Sequence, residues 1–357
     1  MPLEPTPTDS LLQVTPHGLF VPAAQLYLDA RWAPGSVFVS HAHADHCSRA
    51  ERIVCTPETA TLHTARRGPR DAFVIPYDTP TRVGEADVVL HSAAHCLGAA
   101  MIEVRTDRGT LVYTGDYKLR PNPLTPPSHI PRCDELVMEC TFGEPRYAFP
   151  LDELLLHQLH DFVEAAFRED STPVVLAYAL GKGQEALHHL TGFGYDVVLH
   201  GAIANLCRLH VELGHPFPGP GIWMSYKRGE VGRRVLLTTP STRKTAMVQG
   251  LPKKRICYLT GWAYHPGAHN IYKGIDLVLP LSDHADYPEL VRTARESGAR
   301  RIYTVHGPER FADRLREQGL PARHLAAHPQ DFCDDDEGDP AAARPVAIPD
   351  QRSLDLR

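Results

Sequence analysis

The rhythm of apolar and polar positions changes along the chain. Up to about residue 145 the apolar residues come in short runs: VFVSH (37–41), VVLHSA (88–93), MIEVRT (101–106), TLVYTGD (110–116) and DELVMEC (134–140). Runs of this length, rich in β-branched residues and bounded by turn formers, predict strands. From Pro150 the spacing becomes helical. In LDELLLHQLHDFVEAAFRED the residues Leu151, Leu154, Leu155, Leu159, Phe162 and Val163 recur at helical intervals. A strand, VVLAYA (174–179), and a turn with a helix, GKGQEALHHL, follow. This alternation predicts an inserted α/β unit over residues 151–265. DLVLPLSDHADYPELVRTARESG and RIYTVHGPERFADRLREQG then read as two strand–turn–helix units. The chain divides into 1–150, 151–265, 266–325 and an acidic, Pro-rich tail, 326–357, whose composition predicts weak order. No internal repeat is visible.

The densest chemistry is SHAHADHCS, with His41, His43, Asp45 and His46 inside six positions directly after a strand. Alternate residues of an extended segment point the same way, so His41 and His43 can share one metal. Asp45 and His46, at the turn into the next helix, can face a second. Zinc accepts imidazole and carboxylate, and a catalytic site keeps one position open for water. Four residues do not complete two sites, so further donors must come from other loops. SAAHCLGAAM puts His95 between two strands, with Gly98 keeping the loop tight. TLVYTGDYK puts Asp116 at a strand end, where a carboxylate can bridge two ions. RIYTVHGPE puts His306 at another strand end. A lone histidine is more often structural than a ligand; three strand-end donors beside the first cluster favour the metal.

Composition narrows the class. With 357 residues and 43% hydrophobic content, the chain has room for a sizeable core. No apolar run approaches the roughly 20 residues of a membrane span, so no membrane partner is expected. The N-terminus reads as no signal peptide. Eight cysteines are scattered without a CxxC pair, which predicts a reducing, cytoplasmic setting. The 21 histidines are many. The net charge of −6 does not by itself suggest a nucleic-acid partner, but its distribution does. Between Tyr226 and Arg255 the residues Lys227, Arg228, Arg233, Arg234, Arg243, Lys244, Lys253, Lys254 and Arg255 are opposed only by Glu230. Such a stretch can track phosphates; a solvated charged face is the plainer reading. Gly181-Lys182-Gly183, between a strand and a helix, could hold a terminal phosphate on backbone N–H groups, although a tight turn explains it as well.

The order His41-x-His43-x-Asp45-His46, His95, Asp116 resembles the metallo-β-lactamase superfamily. ECTFG (Glu139 to Gly143), SDHADY (His284) and TVHGPE (His306) resemble the three further motifs of its β-CASP nucleases, which include RNase J, the cleavage-and-polyadenylation endonuclease and the Artemis/Apollo group. AYALGKGQEAL resembles the start of their inserted domain. The resemblance spans residues 10–320, and length and a compact insertion look most like the bacterial DNA-ligase-associated exonucleases. It implies an α/β fold, a metallo-β-lactamase αββα sandwich in two parts (1–150 and 266–325) interrupted by a β-CASP domain.

The same resemblance implies two Zn²⁺, with Mn²⁺ as an acceptable substitute. One ion takes His41, His43, His95 and Asp116; the other takes Asp45, His46, His306 and the shared Asp116. Asp29, in LYLDA, is implied behind the ligands. Glu139 and His284 are implied to serve the leaving oxygen, with Asp45 also counted in the catalytic set. Read from the local charge and the Gly181-Lys182-Gly183 turn, Lys182, Lys227, Arg228, Arg243, Lys244, Lys253, Lys254 and Arg255 are the expected nucleic-acid contacts. The activity implied is a DNA exonuclease in repair, linked to a DNA ligase and a helicase. His306 argues for the alternative, an RNA-processing ribonuclease, because members acting on RNA carry histidine there and the Artemis/Apollo group valine. A small-molecule hydrolase would lack the insertion and the ECTFG and SDHADY motifs. A non-catalytic scaffold would have lost ligands, and all seven are present.

Overall fold

In a computed structural model the described residues are 7 and 9–325. The expected acidic tail, with Cys333, lies outside them. The described residues build three sheets. The first follows chain order through Gln13–Thr15, Gly18–Val21, Leu26–Leu28, Ser36–Phe38, Arg52–Cys55 and Asp71–Val74. The second runs Ala322–His324, Arg301–Val305, Glu135–Glu139, Gly109–Tyr113, Ala100–Thr106, Ala86–Ser92, Thr81–Val83.

Alternation along the strands makes these two sheets a sandwich. Val21, Leu26, Leu28, Phe38 and Val54 of the first share one core with Val88, Leu90, Ile102, Leu111, Tyr113 and Val137 of the second. The intervening residues Met101, Val112, Leu136 and Met138 point to the opposite face. There they meet Leu290 and Ala294 of helix Tyr287–Glu296 and Phe311 and Leu315 of helix Arg310–Glu317.

The third sheet runs Trp223–Ser225, Val197–Leu199, Val235–Thr238, Thr172–Leu176, Lys254–Leu259, Leu277–Leu279, with every neighbouring pair parallel. A parallel sheet needs cover on both faces. Val175, Val197, Leu237 and Leu259 pack with Leu159, Leu187 and Ile203 of helices Asp152–Arg168, Lys182–Gly192 and Gly201–Glu212. Val174, Leu236, Ile256 and Tyr258 pack with Val248 and Tyr272 on the other face. In sequence the whole sheet falls between Glu135–Glu139 and Arg301–Val305, which pair with each other in the second sheet.

Three local readings differ from expectation. Residue 265 does not end the inserted unit, because Leu277–Leu279 pairs with Lys254–Leu259; an apolar run such as LVLP carries no mark of which sheet will take it. Leu151 and Leu154 are exposed, and the buried stripe of the first long helix starts at Leu155. His46 is not followed by a helix. His46 N and Cys47 N donate to His43 O in a turn, the strand Arg52–Cys55 comes next, and only then helix Pro57–Arg67. That helix has a weak apolar stripe but a clear start, with Thr56 accepting from Thr59 N and Pro57 in the first turn.

Gly98 ties this helix to the loop bearing His95. Its φ is +82°, and a Cβ there would lie 2.6 Å from Thr59 N. Its carbonyl accepts from Thr56 Oγ1 at 2.7 Å and Thr59 Oγ1 at 2.8 Å. Gly98→Ala should therefore lower stability by about 1–3 kcal/mol, read as an earlier urea midpoint; an unmoved midpoint would mean the loop yields freely. The seven described cysteines are free thiols, and among the described residues no helix is long and apolar enough to cross a membrane.

Candidate metal centre

One edge of the sandwich gathers the expected residues. Ser36–Phe38 leads into Ser40–His46, Gly109–Tyr113 into Asp116, and Arg301–Val305 into His306, while Glu139 ends its own strand. His95 lies on the loop joining Ala86–Ser92 to Ala100–Thr106, at the same edge. The third sheet brings the C-terminal ends of its strands to this place, through Leu180 and Gly181 after Thr172–Leu176 and through Leu281 to His284 after Leu277–Leu279.

His41, His43, His95 and Asp116 offer donor atoms that all lie within 4.8 Å of one another. His43 Nδ1 is 2.9 Å from His41 Nε2 and 3.0 Å from His95 Nε2. Asp116 Oδ2 is 3.6 Å from His41 Nε2, 4.0 Å from His95 Nε2 and 3.2 Å from His46 Nε2. Asp45 Oδ2 is 3.6 Å from His46 Nε2, and the His306 ring centroid is 5.5 Å from that of His46.

The other nitrogen of each imidazole in the first loop and of His95 meets an oxygen. His46 Nδ1 donates to Asp29 Oδ2 at 2.8 Å. Ser40 Oγ donates to Asp29 Oδ2 at 2.6 Å, so it accepts from His41 Nδ1 at 2.9 Å. His43 Nε2 donates to Leu180 O at 3.1 Å and His95 Nδ1 to Asp283 O at 2.8 Å. For His41, His43 and His95 these contacts place the protons on the outer nitrogens and leave the inner lone pairs converging on one another, while His46 turns its inner nitrogen to the Asp116 carboxylate at 3.2 Å. Bare lone pairs about 3 Å apart repel unless a cation lies among them, and donors around a tetrahedral zinc are roughly 3.3 Å apart. The residues present fit a divalent cation. Asp29, which also accepts from Ser40 N at 2.7 Å and Tyr113 Oη at 2.8 Å, is saturated behind them.

Burial prepares these groups. It is the main force lowering His41 well below the ordinary imidazole range, His43 to about 3 and His95 to about 4, with neighbouring imidazoles adding to it. These three rings are neutral at physiological pH, the form a metal needs. Burial works against charge on Asp116 too, but His46 and His284, whose rings are held in the charged form, outweigh it and hold the carboxyl well below its usual range.

Glu139 and His284 form a second pair beside the cluster. Glu139 is buried, accepts from Tyr117 N at 2.9 Å, and has both carboxylate oxygens 3.1 Å from His284 Nδ1. The His284 ring is 4.7 Å from that of His95. Burial pulls the His284 pKa down, but the carboxylates of Glu139 and Asp116 overcome it and raise it to about 10.

The expected nucleic-acid contacts divide. Lys182 is not available to a phosphate: it is buried, and Nζ donates to Asp283 Oδ1 at 2.7 Å and Leu281 O at 3.1 Å. Lys227, Arg228, Arg243 and Lys244 follow the C-terminal ends of third-sheet strands, the end that meets the metal cluster. Lys253, Lys254 and Arg255 stand at the opposite end. Arg255 pairs with Glu169, just past the last residue of helix Asp152–Arg168. The first residue of that helix, Asp152, pairs with Arg120, which also pairs with Asp286, the last residue of SDHAD. A 17-residue helix separates the two ends by about 25 Å. Residues missed in the sequence are Ser40, Tyr113 and the carbonyls of Leu180 and Asp283; a backbone carbonyl leaves no signature in a sequence.

Residues 275–324 match the family model described as a Zn-dependent metallo-hydrolase RNA specificity domain. A protein of Opitutus terrae named as a probable DNA ligase is 36% identical over 310 residues, 86% of this chain and 30% of that protein. The 5′ exonuclease Apollo of Gallus gallus is 27% identical over 292 residues, 77% of this chain and 60% of Apollo. The chain belongs to the β-CASP nuclease family of the metallo-β-lactamase superfamily. An RNase J-like protein of Methanocaldococcus jannaschii is 26% identical over 180 residues, 43% of each chain. The β-CASP family thus supplies relatives named for DNA and for RNA, and this chain spans less than two thirds of each of the three.

Proposed function

We propose that the protein is a two-metal-dependent nuclease that hydrolyses phosphodiester bonds in DNA, as an exonuclease in repair linked to a DNA ligase. The observation that carries the reading is the convergence of four imidazoles on Asp116, each with its outer nitrogen already bonded to oxygen. In this reading His41, His43, His95 and Asp116 hold one zinc, and Asp45, His46, His306 and Asp116 the other; manganese suits the same donors. Bound there, the metals would polarise the phosphate, lower the pKa of water and neutralise developing charge. The two facing sheets are then the αββα sandwich and the third-sheet unit the β-CASP domain.

The chain's own residues supply the proton. Glu139 grips His284 Nδ1, and its carboxylate favours the protonated ring, whose Nε2–H would serve a leaving alkoxide. DNA is favoured by the similarity over 86% of the chain to a protein named as a DNA ligase, and by Apollo. That first relative is much longer than the aligned region, which supports a ligase partner; a helicase partner and a cytoplasmic setting rest on the sequence alone. RNA is the second reading, favoured by the match of residues 275–324, His306 included, to a domain named for RNA specificity. Equimolar end-labelled DNA and RNA in one reaction decide between them. Preferential loss of DNA is expected, and loss of RNA with DNA intact would transfer the assignment to RNA.

The divided basic residues yield a second test. Replacing Lys227, Arg228, Arg243 and Lys244 with Ala should weaken binding across sequences. It should also flatten the salt dependence by about 0.7–0.9 in slope for each phosphate no longer neutralised. Replacing Lys253, Lys254 and Arg255 should leave both unchanged, because those residues face away from the cluster. The reverse pattern would put the nucleic-acid path on the other end of the third sheet.

A further inference from the structure

Two of the four converging imidazoles are oriented by the third-sheet unit and not by the sandwich that carries them. His43 leans on the carbonyl of Leu180, in the loop between Thr172–Leu176 and helix Lys182–Gly192. His95 leans on the carbonyl of Asp283, in the loop after Leu277–Leu279. One side chain joins these loops. Lys182 begins the helix two residues after Leu180, is 1% exposed, and gives its ammonium to Asp283 Oδ1 and Leu281 O. The approach is close as well: a Cβ on Gly181, where φ is +80°, would lie 3.1 Å from Cys96 Cβ and 3.8 Å from His43 Nε2. A buried ammonium needs paired acceptors to persist, and both acceptors here belong to the segment that orients His95.

We propose that Lys182 is a positioning residue of the metal centre: it locks together the two loops whose carbonyls orient His43 and His95, and so makes metal affinity depend on docking of the third-sheet unit. The inference rests on reading the cluster as a metal centre. Lys182 contacts neither imidazole; it acts through Asp283 and through the helix start that carries Leu180. Oxygen partners of metal-bound histidines fix the ring and its tautomer. Coupling of this kind is reciprocal, so whatever docking adds to metal affinity, the metal adds to docking.

A neighbouring ion pair provides an internal control. Lys118, in the loop after Asp116, meets Glu185 of helix Lys182–Gly192 at 2.8 Å, with both side chains as deeply buried as the Lys182 pair. It ties the sandwich to the same helix of the third-sheet unit, yet Glu185 supplies no oxygen to a ligand imidazole. A merely structural clamp would make the two pairs equivalent.

The test measures zinc affinity of the full chain by competition with a chromophoric chelator. The variants are Lys182→Met, Lys182→Arg, Glu185→Gln and the double variant Lys182→Met/Asp283→Asn. The double variant removes the carboxylate that Lys182→Met alone leaves uncompensated, so a folding failure of the single variant does not decide the outcome. Lys182→Met and the double variant should bind zinc about 10–100-fold more weakly. Lys182→Arg should recover part of the loss, and Glu185→Gln should bind like the parent. Zinc should also slow hydrogen exchange across residues 172–190 in the parent, and do so less in the double variant. Parental affinity in the double variant, or an equal loss in Glu185→Gln, would overturn the positioning role while leaving the metal centre intact. A parent chain that binds no zinc would overturn the metal centre itself, and this inference with it.

Discussion

Asp116→Ala is expected to empty both halves of the metal centre and reduce hydrolysis of every phosphodiester, large or small, to background. Asp116 Oδ2 lies within 4.0 Å of nitrogens of His41, His46 and His95, so it is the one carboxylate common to both proposed ligand sets. Its loss removes a donor from each set. It also removes the negative charge that offsets two divalent ions in a buried place. Asp116→Asn keeps the shape and the oxygen but not the charge, and should hold metal more weakly than the parent and better than Asp116→Ala. Elemental analysis of the three proteins beside their rates on end-labelled DNA and on a nitrophenyl phosphodiester checks the series. Two ions per chain retained in Asp116→Ala would remove the bridging role.

His284→Ala is expected to behave differently, keeping its metals and losing rate. The ring stands 4.7 Å from His95 and is bound to Glu139, outside both proposed ligand sets. General acid assistance is typically worth about 10²–10⁴-fold, and a loss of that order is expected on DNA, whose leaving alkoxide needs a proton. On the nitrophenyl ester the loss should shrink, because nitrophenolate leaves without one. Glu139→Gln should follow His284→Ala, since it withdraws the charge that raises the imidazole. His306→Ala should show the opposite signature, weaker metal binding with equal losses on both substrates. Equal losses in His284→Ala would remove the proton-donor role, and full metal content with full activity in His306→Ala would misplace the second ion.

The contrast between these residues and the basic stretch shows what a sequence can reveal. His41, His43, Asp45 and His46 are neighbours in the chain and stay neighbours in space, so residue type and spacing are enough to find them. His95, Asp116, Glu139 and His306 are legible because each follows or ends an apolar strand, and strand ends of one sheet share an edge. The sheets are legible in the same way, as runs with alternating faces.

What escapes is decided by pairing between distant segments. Lys182 reads as a phosphate ligand until Asp283 arrives from 101 residues away. The nine basic residues form one stretch in sequence, yet the strand Val235–Thr238 runs through it and separates some of them across the third sheet. Leu277–Leu279 looks like part of the sandwich because only its hydrogen-bond partner shows otherwise. The carbonyls that orient His43 and His95 belong to Leu180 and Asp283, where side-chain identity carries no information about them.

The most direct test of a metal-dependent nuclease is reconstitution. The chain is stripped with a chelator, zinc or manganese is returned in measured steps, and release of label from end-labelled DNA and RNA is followed beside bound metal. The stripped protein should cleave nothing, and activity should rise with occupancy and level near two ions per chain. Undiminished cleavage by the stripped protein, or a chain carrying two ions that cleaves neither nucleic acid, would contradict a two-metal nuclease.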